Sequence, residues 1–308
     1  MKKVSLIIPC CNEEDVLPIF WQKMSQELKN TQFSYEILFI DDGSKDNTLQ
    51  WIKDKAKNNK NVKYISFSRN FGKEAAMFAG LQHSDGDYVA ILDADLQDPP
   101  SLLPQMLGIL EKGEYDSVAT RRKFRKGEPP IRSCFATMFY KIMFMFSKLD
   151  IRDGARDFRL MKRNMVQELI RMCEHDRFIK AMFSWVGFKT YWLEFDNVER
   201  SKGISKWSFF SLLKYSLSAI FNYSNAAINI VLSLAVILTA ISIICWIFLL
   251  FSWNMSAEIF NFRLLLDTII SIGAILLWAI WLVGIYAAKT YIEVQNRPHY
   301  IIAQTNKK

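Results

Sequence analysis

Two long stretches without a charged side chain constrain this sequence more than any other feature. No charged residue occurs from Tyr215 to Ala257 or from Thr268 to Ala288, and 226–251 is almost wholly apolar. At about 1.5 Å of rise per residue, each run makes a helix long enough to cross a hydrocarbon core of about 30 Å. Helices of globular domains rarely stay uncharged for about 20 residues, so a pair of buried core helices is the weaker reading. The flanks set the orientation. Lys202, Lys206 and Lys214 precede the first run, and Lys289, Arg297, Lys307 and Lys308 follow the second. The connection between the runs holds only Glu258, Arg263 and Asp267. Positive charge stays on the cytoplasmic side. The expectation is therefore a transmembrane helix over 226–251, an external loop over 252–267, a second transmembrane helix over 268–288 and a cytoplasmic tail over 289–308.

The remainder reads differently. Charged residues make up 23% of the 308-residue chain and mean hydropathy is only +0.05, so the greasy part is an appendage to an ordinary water-facing domain, 1–206. The N-terminus runs straight into a short apolar stretch, Val4 to Pro9, too brief for a signal peptide, so it is expected to stay in the cytoplasm. Lys and Arg outnumber Asp and Glu by 39 to 31, a net charge of +8 that suits an anionic partner. Five cysteines, with Cys10 beside Cys11 and no CxxC pair, argue against a disulfide framework or a zinc site. Two segments mix aromatic and basic residues as bilayer-surface helices do: one over 131–149, with Arg132, Lys141 and Lys148, and one over 207–225, with Lys214.

Within 1–206, strand and helix patterns alternate. Val4 to Pro9 is a continuous apolar run, as a strand buried on both faces requires. Asn12 to Leu28 carries Val16, Leu17, Phe20, Met24 and Leu28 on one helical face, and Pro18 restricts that helix to a start nearby. Strands are predicted over Tyr35 to Ile40, Val62 to Phe67, Tyr88 to Leu92 and Ser117 to Thr120. Helices are predicted from an Asp46 cap to about Lys57 and over Gly72 to Leu81, with a further one opened by Asp98 and Pro99. Phe158 to Met161 and Thr190 to Phe195 are shorter strand candidates. This alternation predicts an α/β fold with a mostly parallel sheet, whose ligands bind at the carboxyl ends of the strands. Three polar clusters fall at such ends: Asn12-Glu13, Asp41-Asp42 and Asp93-Ala94-Asp95.

No GxGxxG and no Walker loop follows a strand, and the three histidines are scattered. The acidic pair Asp93 and Asp95 remains. Two carboxylates one residue apart in an extended turn can face one hard cation, and Mg2+ or Mn2+ completes its shell with diphosphate oxygens. Such a pair alone is a weak signal, because it often only caps a helix.

Its context is stronger. Ile37 to Thr48 (ILFIDDGSKDNT), Ser68 to Leu81 (SRNFGKEAAMFAGL), Asp93 to Pro100 (DADLQDPP), Asp157 to Leu160 (DFRL) and Arg200 to Lys206 (RSKGISK) occur together in this order. The chain resembles the polyprenyl-phosphate glycosyltransferases of glycosyltransferase family 2, the bactoprenol glucosyltransferases more closely than the dolichol-phosphate mannose synthases. The resemblance implies a GT-A (Rossmann-like) domain followed by two C-terminal transmembrane helices. It implies an inverting transfer of one sugar from a nucleotide-diphosphate donor, UDP-glucose, to polyprenyl (undecaprenyl) phosphate at the cytoplasmic membrane face. UDP-N-acetylglucosamine and UDP-galactose stay open as donors. By the same resemblance, Pro9, Glu13, Ile40 and Asp42 hold the base and ribose. Asp93, Ala94, Asp95 and Gln97 form the metal and sugar-diphosphate site, with Asp95 the most direct ligand of Mg2+ or Mn2+. Arg121 would neutralise diphosphate. Arg132 would hold the lipid phosphate, and Arg200 and Lys206 belong to a loop that closes over both phosphates. Asp157 is implied to act as a base or to orient the acceptor or a neighbouring arginine; an ion pair with Arg156 or Arg159 is the structural alternative. The resemblance also implies a homo-oligomer.

Three other functions are weighed against this one. A processive polysaccharide synthase of the same fold carries a QxxRW motif and more spans, whereas here Arg177-Phe178 stands in the comparable region. A non-enzymatic membrane scaffold or transporter subunit fits two spans with no intramembrane charge poorly. Nucleic-acid binding is suggested by the basic run Arg121 to Lys126, but an anionic bilayer surface accounts for that patch equally, so no nucleic-acid partner is expected.

Overall fold

The computed structural model describes residues 2–29, 33–122, 154–172, 174, 177–195 and 257–307, with only part of the side chains over 257–277. The expected surface helices at 131–149 and 207–225 and the first expected span, 226–251, lie outside them. The chain divides into two compact units, residues 1–219 with 298–308, and residues 220–297.

The first unit is built on an eight-stranded sheet. In chain order the strands are β1 (Lys3–Cys10), β2 (Ser34–Asp41), β3 (Val62–Phe67), β4 (Tyr88–Ile91), β5 (Ser117–Arg122), β6 (Ala155–Lys162), β7 (Thr190–Phe195) and β8 (Ile302–Thr305). They lie in the order β7-β5-β6-β4-β1-β2-β3-β8. The β1–β2, β1–β4, β2–β3 and β5–β7 pairs are parallel. β6 and β8 run against their neighbours, so the sheet is mixed. The helices α1 (Leu17–Lys29), α2 (Thr48–Asn58), α3 (Lys73–His83), α4 (Leu103–Glu111), α5 (Arg163–Arg171) and α6 (Ile179–Trp185) complete the unit.

The elements form where the apolar pattern requires. Leu6, Ile7 and Ile8 of β1 are wholly buried, as befits a central strand covered on both faces. α1 begins at Leu17, one residue before Pro18, where the missing N–H is not needed, and it buries Leu17, Phe20, Met24 and Leu28. α3 presses closely on β1: a Cβ at Gly80 would lie 2.2 Å from Cγ2 of Ile7, so only glycine lets the two backbones approach this far.

Two expectations change. Asp98 caps no helix. The chain enters α4 through a 3-10 turn, Pro100–Leu102, with Pro99 at the cap position, and Asp98 turns instead to Arg156. A buried carboxylate gains more from a guanidinium than the roughly 1 kcal/mol of a cap. The residues expected as a tail also divide. Residues 298–307 return to the sheet, where β8 pairs antiparallel with β3. Tyr300 stacks on Phe67 with ring centroids 4.8 Å apart, and Lys307 Nζ lies 2.5 Å from Glu36 and 3.2 Å from Asp85.

In the second unit a helix of 38 residues, α7 (Ala257–Val294), contains the uncharged run 268–288. Among the described residues no helix is long and apolar enough to cross a membrane; many α7 side chains fall outside them.

Candidate active site

The strand order reverses at β1, which has β2 on one side and β4 on the other. In sheets of this kind ligands bind beyond the carboxyl ends of the strands that flank such a reversal. The three acidic clusters noted in the sequence sit here. β6 adds a fourth component. Because it runs antiparallel between β4 and β5, its first residues, Ala155 to Asp157, arrive at the end where β4 and β5 finish. Ile91 pairs with Arg159, so Asp93 and Asp157, each two residues further on, come together although 64 residues separate them.

Lys73, the first residue of α3, joins them. Its Nζ donates to Oδ2 of Asp93 at 2.8 Å and to Oδ2 of Asp157 at 2.5 Å, and lies 2.7 Å from Oδ1 of Asp93. Lys180 on α6 lies 3.6 Å from the other oxygen of Asp157. Burial alone would push the Asp157 carboxyl up; Lys73 and Lys180 outweigh it and hold the group well below the usual carboxylate range. Burial likewise disfavours charge on Lys73, and the two aspartates reverse this, raising its pKa well above the ordinary lysine value. Asp157 therefore pairs with two lysines rather than with Arg156 or Arg159.

The acidic turn is held from behind. Leu96 takes a left-handed backbone (φ +59°), and Gln97 N–H donates to Asp95 Oδ1 at 3.1 Å. The Gln97 side-chain oxygen accepts from Arg122 at 3.1 Å and from Arg156 at 3.3 Å. Arg156 also binds Oδ1 of the fully buried Asp98 at 2.7 Å. Two guanidiniums and an ammonium thus surround the turn that carries Asp95, which suits a polyanionic ligand.

On the other side of β1, Asp42 is 3% exposed, and its oxygens accept backbone N–H groups of Phe71 at 2.6 Å and Gly72 at 3.0 Å. Burial raises its pKa to about 6 against the pull of these two donors. Asp42 thereby ties the loop before α3, and so Lys73, to the end of β2. Gly43 is indispensable to that joint. Its φ is +63°, and a Cβ would lie 2.4 Å from the carbonyl carbon of Arg69. Pro9 and Ile40 face each other in register at the ends of β1 and β2, with Ile40 fully buried, so its side chain offers no surface to a ligand. Ala94 is also buried. Glu13 begins the turn into α1, its N–H donating to Thr48 Oγ1 at 2.7 Å.

Asp93, Asp95, Gln97 and Asp157 thus assemble as one cluster, with Pro9, Glu13 and Asp42 lining the adjoining strand ends. Arg121 does not point into it. It pairs with Glu194 on β7 at 2.8 Å, while its neighbour Arg122, on the opposite face of β5, reaches Gln97. Arg132, Arg200 and Lys206 lie outside the described residues. Lys73, Lys180 and Arg122 are not among the site residues expected from sequence, and Arg156 is expected only as an alternative ion-pair partner of Asp157. Lys73 lies inside the SRNFGKEAAMFAGL motif, but a lysine at a helix start carries no local sign of its partners.

No group of three or more His, Cys, Asp or Glu side chains able to hold a metal occurs among the described residues. A diphosphate-bridged Mg2+ or Mn2+ needs only one or two carboxylates, and hard oxygen donors are what this turn supplies.

The sequence pattern of Glycosyl transferase family 2 matches residues 5–170. CsbB of Bacillus subtilis is 38% identical over 305 residues, covering 98% of this chain and 92% of the relative. The SfII prophage-derived bactoprenol glucosyl transferase of Shigella flexneri is 34% identical over 306 residues, covering 99% of both chains. Among solved structures, glucosyl-3-phosphoglycerate synthase from Mycobacterium tuberculosis, in complex with Mn2+, UDP and phosphoglyceric acid, superposes with a TM-score of 0.50 at 18% identity, covering 71% of this chain and 76% of that one. That likeness shows the GT-A-like α/β fold. The strand-end cluster, the matched pattern and the full-length relatives lead to one conclusion: this chain belongs to glycosyltransferase family 2.

Proposed function

We propose that the protein transfers a single sugar, with inversion, from a nucleotide-diphosphate donor to polyprenyl phosphate at the cytoplasmic face of a membrane, and that the donor is UDP-glucose. The observation that carries the reading is the end-to-end match to proteins named bactoprenol glucosyl transferase, which covers the C-terminal uncharged runs as well as the catalytic unit. Bactoprenol is the acceptor those names state, and glucose the sugar. The relatives named as acting on a membrane lipid, together with the charge-free runs at 226–251 and 268–288, support two spans with both ends in the cytoplasm.

The geometry fits such a reaction. A lipid phosphate is already an anion near neutral pH, so the attacking oxygen needs no base. Both Asp157 oxygens are engaged by lysines, which suits a carboxylate that fixes Lys73 and Lys180 rather than one that accepts a proton. In the single displacement, a phosphate oxygen of the lipid bonds to the anomeric carbon as the bond from that carbon to the donor diphosphate breaks. The nucleoside diphosphate departs with the electron pair. Arg122, Arg156 and Lys73 are placed to meet the charge that develops on it. A divalent cation held by Asp95, with Asp93 beside it, would supply Lewis-acid neutralisation of the diphosphate.

The test is a donor screen with the purified full-length protein, undecaprenyl phosphate and Mg2+ or Mn2+, reading product mass. A hexosyl lipid phosphate from UDP-glucose is expected, and none from Asp95→Asn, whose fold should stay intact. No lipid-linked product from any nucleotide sugar would overturn the reading.

A further inference from the structure

A second cationic cleft lies behind Asp157. It has a volume of about 230 Å³ and is walled by Arg159, Lys180, Phe183, Phe188, Thr190 and Trp192, between α6 and the β5-β6-β7 edge of the sheet. Arg159 is its centre. This side chain is 5% exposed. Among the described residues its hydrogen bonds go to neutral hydroxyls, Ser117 at 3.1 Å and Thr190 at 3.3 Å, and its buried Nε has no hydrogen-bond partner. Among the described residues no carboxylate is salt-bridged to it. The guanidinium lies 4.4 Å from the ring centre of Phe183 and 5.5 Å from that of Trp192.

A buried cation normally carries its own counter-ion, because leaving water costs several kcal/mol that only an opposite charge repays. Burial lowers the Arg159 pKa to about 9, outweighing the pull of Asp157, which acts on it without forming a salt bridge. Aromatic contacts return only about 1–2 kcal/mol, which leaves the charge undercompensated. They also fix the plane of the guanidinium, so its N–H edge is pre-organised for a planar or tetrahedral oxyanion. Lys180 adds a second positive group and connects the cleft to the reacting cluster through Asp157.

We infer that this cleft binds a phosphate monoester carried on an apolar chain, with the phosphate at Arg159 and Lys180 and the first part of the chain against Phe183, Phe188 and Trp192. The volume falls below the roughly 300 Å³ at which whole small-molecule sites begin, so the cleft takes a headgroup and not an entire lipid. The inference rests on the proposed reaction for its choice of an isoprenoid chain. It makes the cleft a waiting position for acceptor beside Asp157.

The experiment is calorimetric titration of the detergent-solubilised full chain, without donor, with farnesyl phosphate, farnesol and inorganic phosphate. Farnesyl phosphate should bind, and at least about tenfold more weakly to Arg159→Met, equivalent to about 1.4 kcal/mol. Affinity for UDP should be unchanged. Ser184→Asp places a carboxylate at the half-exposed edge of the same cleft and should act in the same direction, so it decides the matter should Arg159→Met not fold. Equal farnesyl phosphate affinity in the folded variants overturns the inference. So does farnesol binding as tightly as the phosphate, or inorganic phosphate binding equally well, which would make the site one for the free anion. Sugar transfer by wild type combined with variant-insensitive binding would sink the cleft and leave the reaction standing. Variant-sensitive binding without any transfer would do the reverse.

Discussion

Replacing Lys73 with methionine removes the cation that bridges Asp93 and Asp157 while keeping the apolar stem. The side chains of these aspartates are 18% and 16% exposed, and that of Lys73 33%. Breaking a buried pair by deleting one partner costs about 3–5 kcal/mol, and the partial exposure of Lys73 puts this case at the lower end, about 3 kcal/mol. For a catalytic unit of this size, each 1 kcal/mol lowers Tm by about 2–4 °C, so Lys73→Met should melt about 6–12 °C below wild type. The pH dependence follows from the directions of the shifts. Asp157 is held below its unfolded value, so its contribution is complete above about pH 5 and is lost as pH falls toward the folded value. Lys73 is held above its unfolded value, so its contribution is complete below about pH 10 and is lost only at higher pH. The Tm difference should therefore be flat from about pH 5 to 9 and shrink in acid. Asp157→Asn added to Lys73→Met removes one of the two stranded charges, so the double variant should melt above Lys73→Met alone. Thermal melts of the full chain in detergent measure all of this. A Lys73→Met melt within about 2 °C of wild type, or a double variant that melts lower still, would refute the ion-pair account.

Gly43→Ala must adopt a positive φ and press its Cβ onto the backbone of Arg69 and Asn70, so it should lose more than about 1 kcal/mol and weaken UDP binding; wild-type affinity in calorimetry would dismiss the joint. Deleting 298–308 strips β8 from β3 and Tyr300 from Phe67, and should lower Tm and bring concentration-dependent aggregation through the opened edge; a monodisperse product with an unchanged melt would show the strand to be dispensable. Ser256→Cys should react with an impermeant label on intact cells, and Gln304→Cys only after permeabilisation; the reverse pattern would place the catalytic unit away from nucleotide sugars.

The sequence by itself determined the strands at Val62–Phe67 and Thr190–Phe195, and most of the other strands and helices to within a few residues. Period-2 and period-3.6 apolar patterns are local, and burial of those faces leaves little choice of element. It also brought Asp93 and Asp95 forward as the candidate site, because an acidic pair at a strand end is readable in place. What it could not supply is anything that depends on strand direction. Nothing in Ala155–Lys162 says that β6 runs antiparallel, yet that reversal alone carries Asp157 and Arg156 to the end of the sheet where β4 delivers Asp93. That Arg122 rather than Arg121 meets Gln97 was hidden for a similar reason: adjacent residues on a strand face opposite ways, and which face meets Gln97 depends on the pairing of β5 with β6 and β7. Asp98 obeyed the buried charge on Arg156 rather than its local cap pattern. Lys73 and Arg159 became informative only through their surroundings. One holds two carboxylates from different strands, and the other is a buried cation with no carboxylate among the described residues salt-bridged to it. Such pairings between distant segments are settled by tertiary packing, where the cost of burying a charge selects its neighbours.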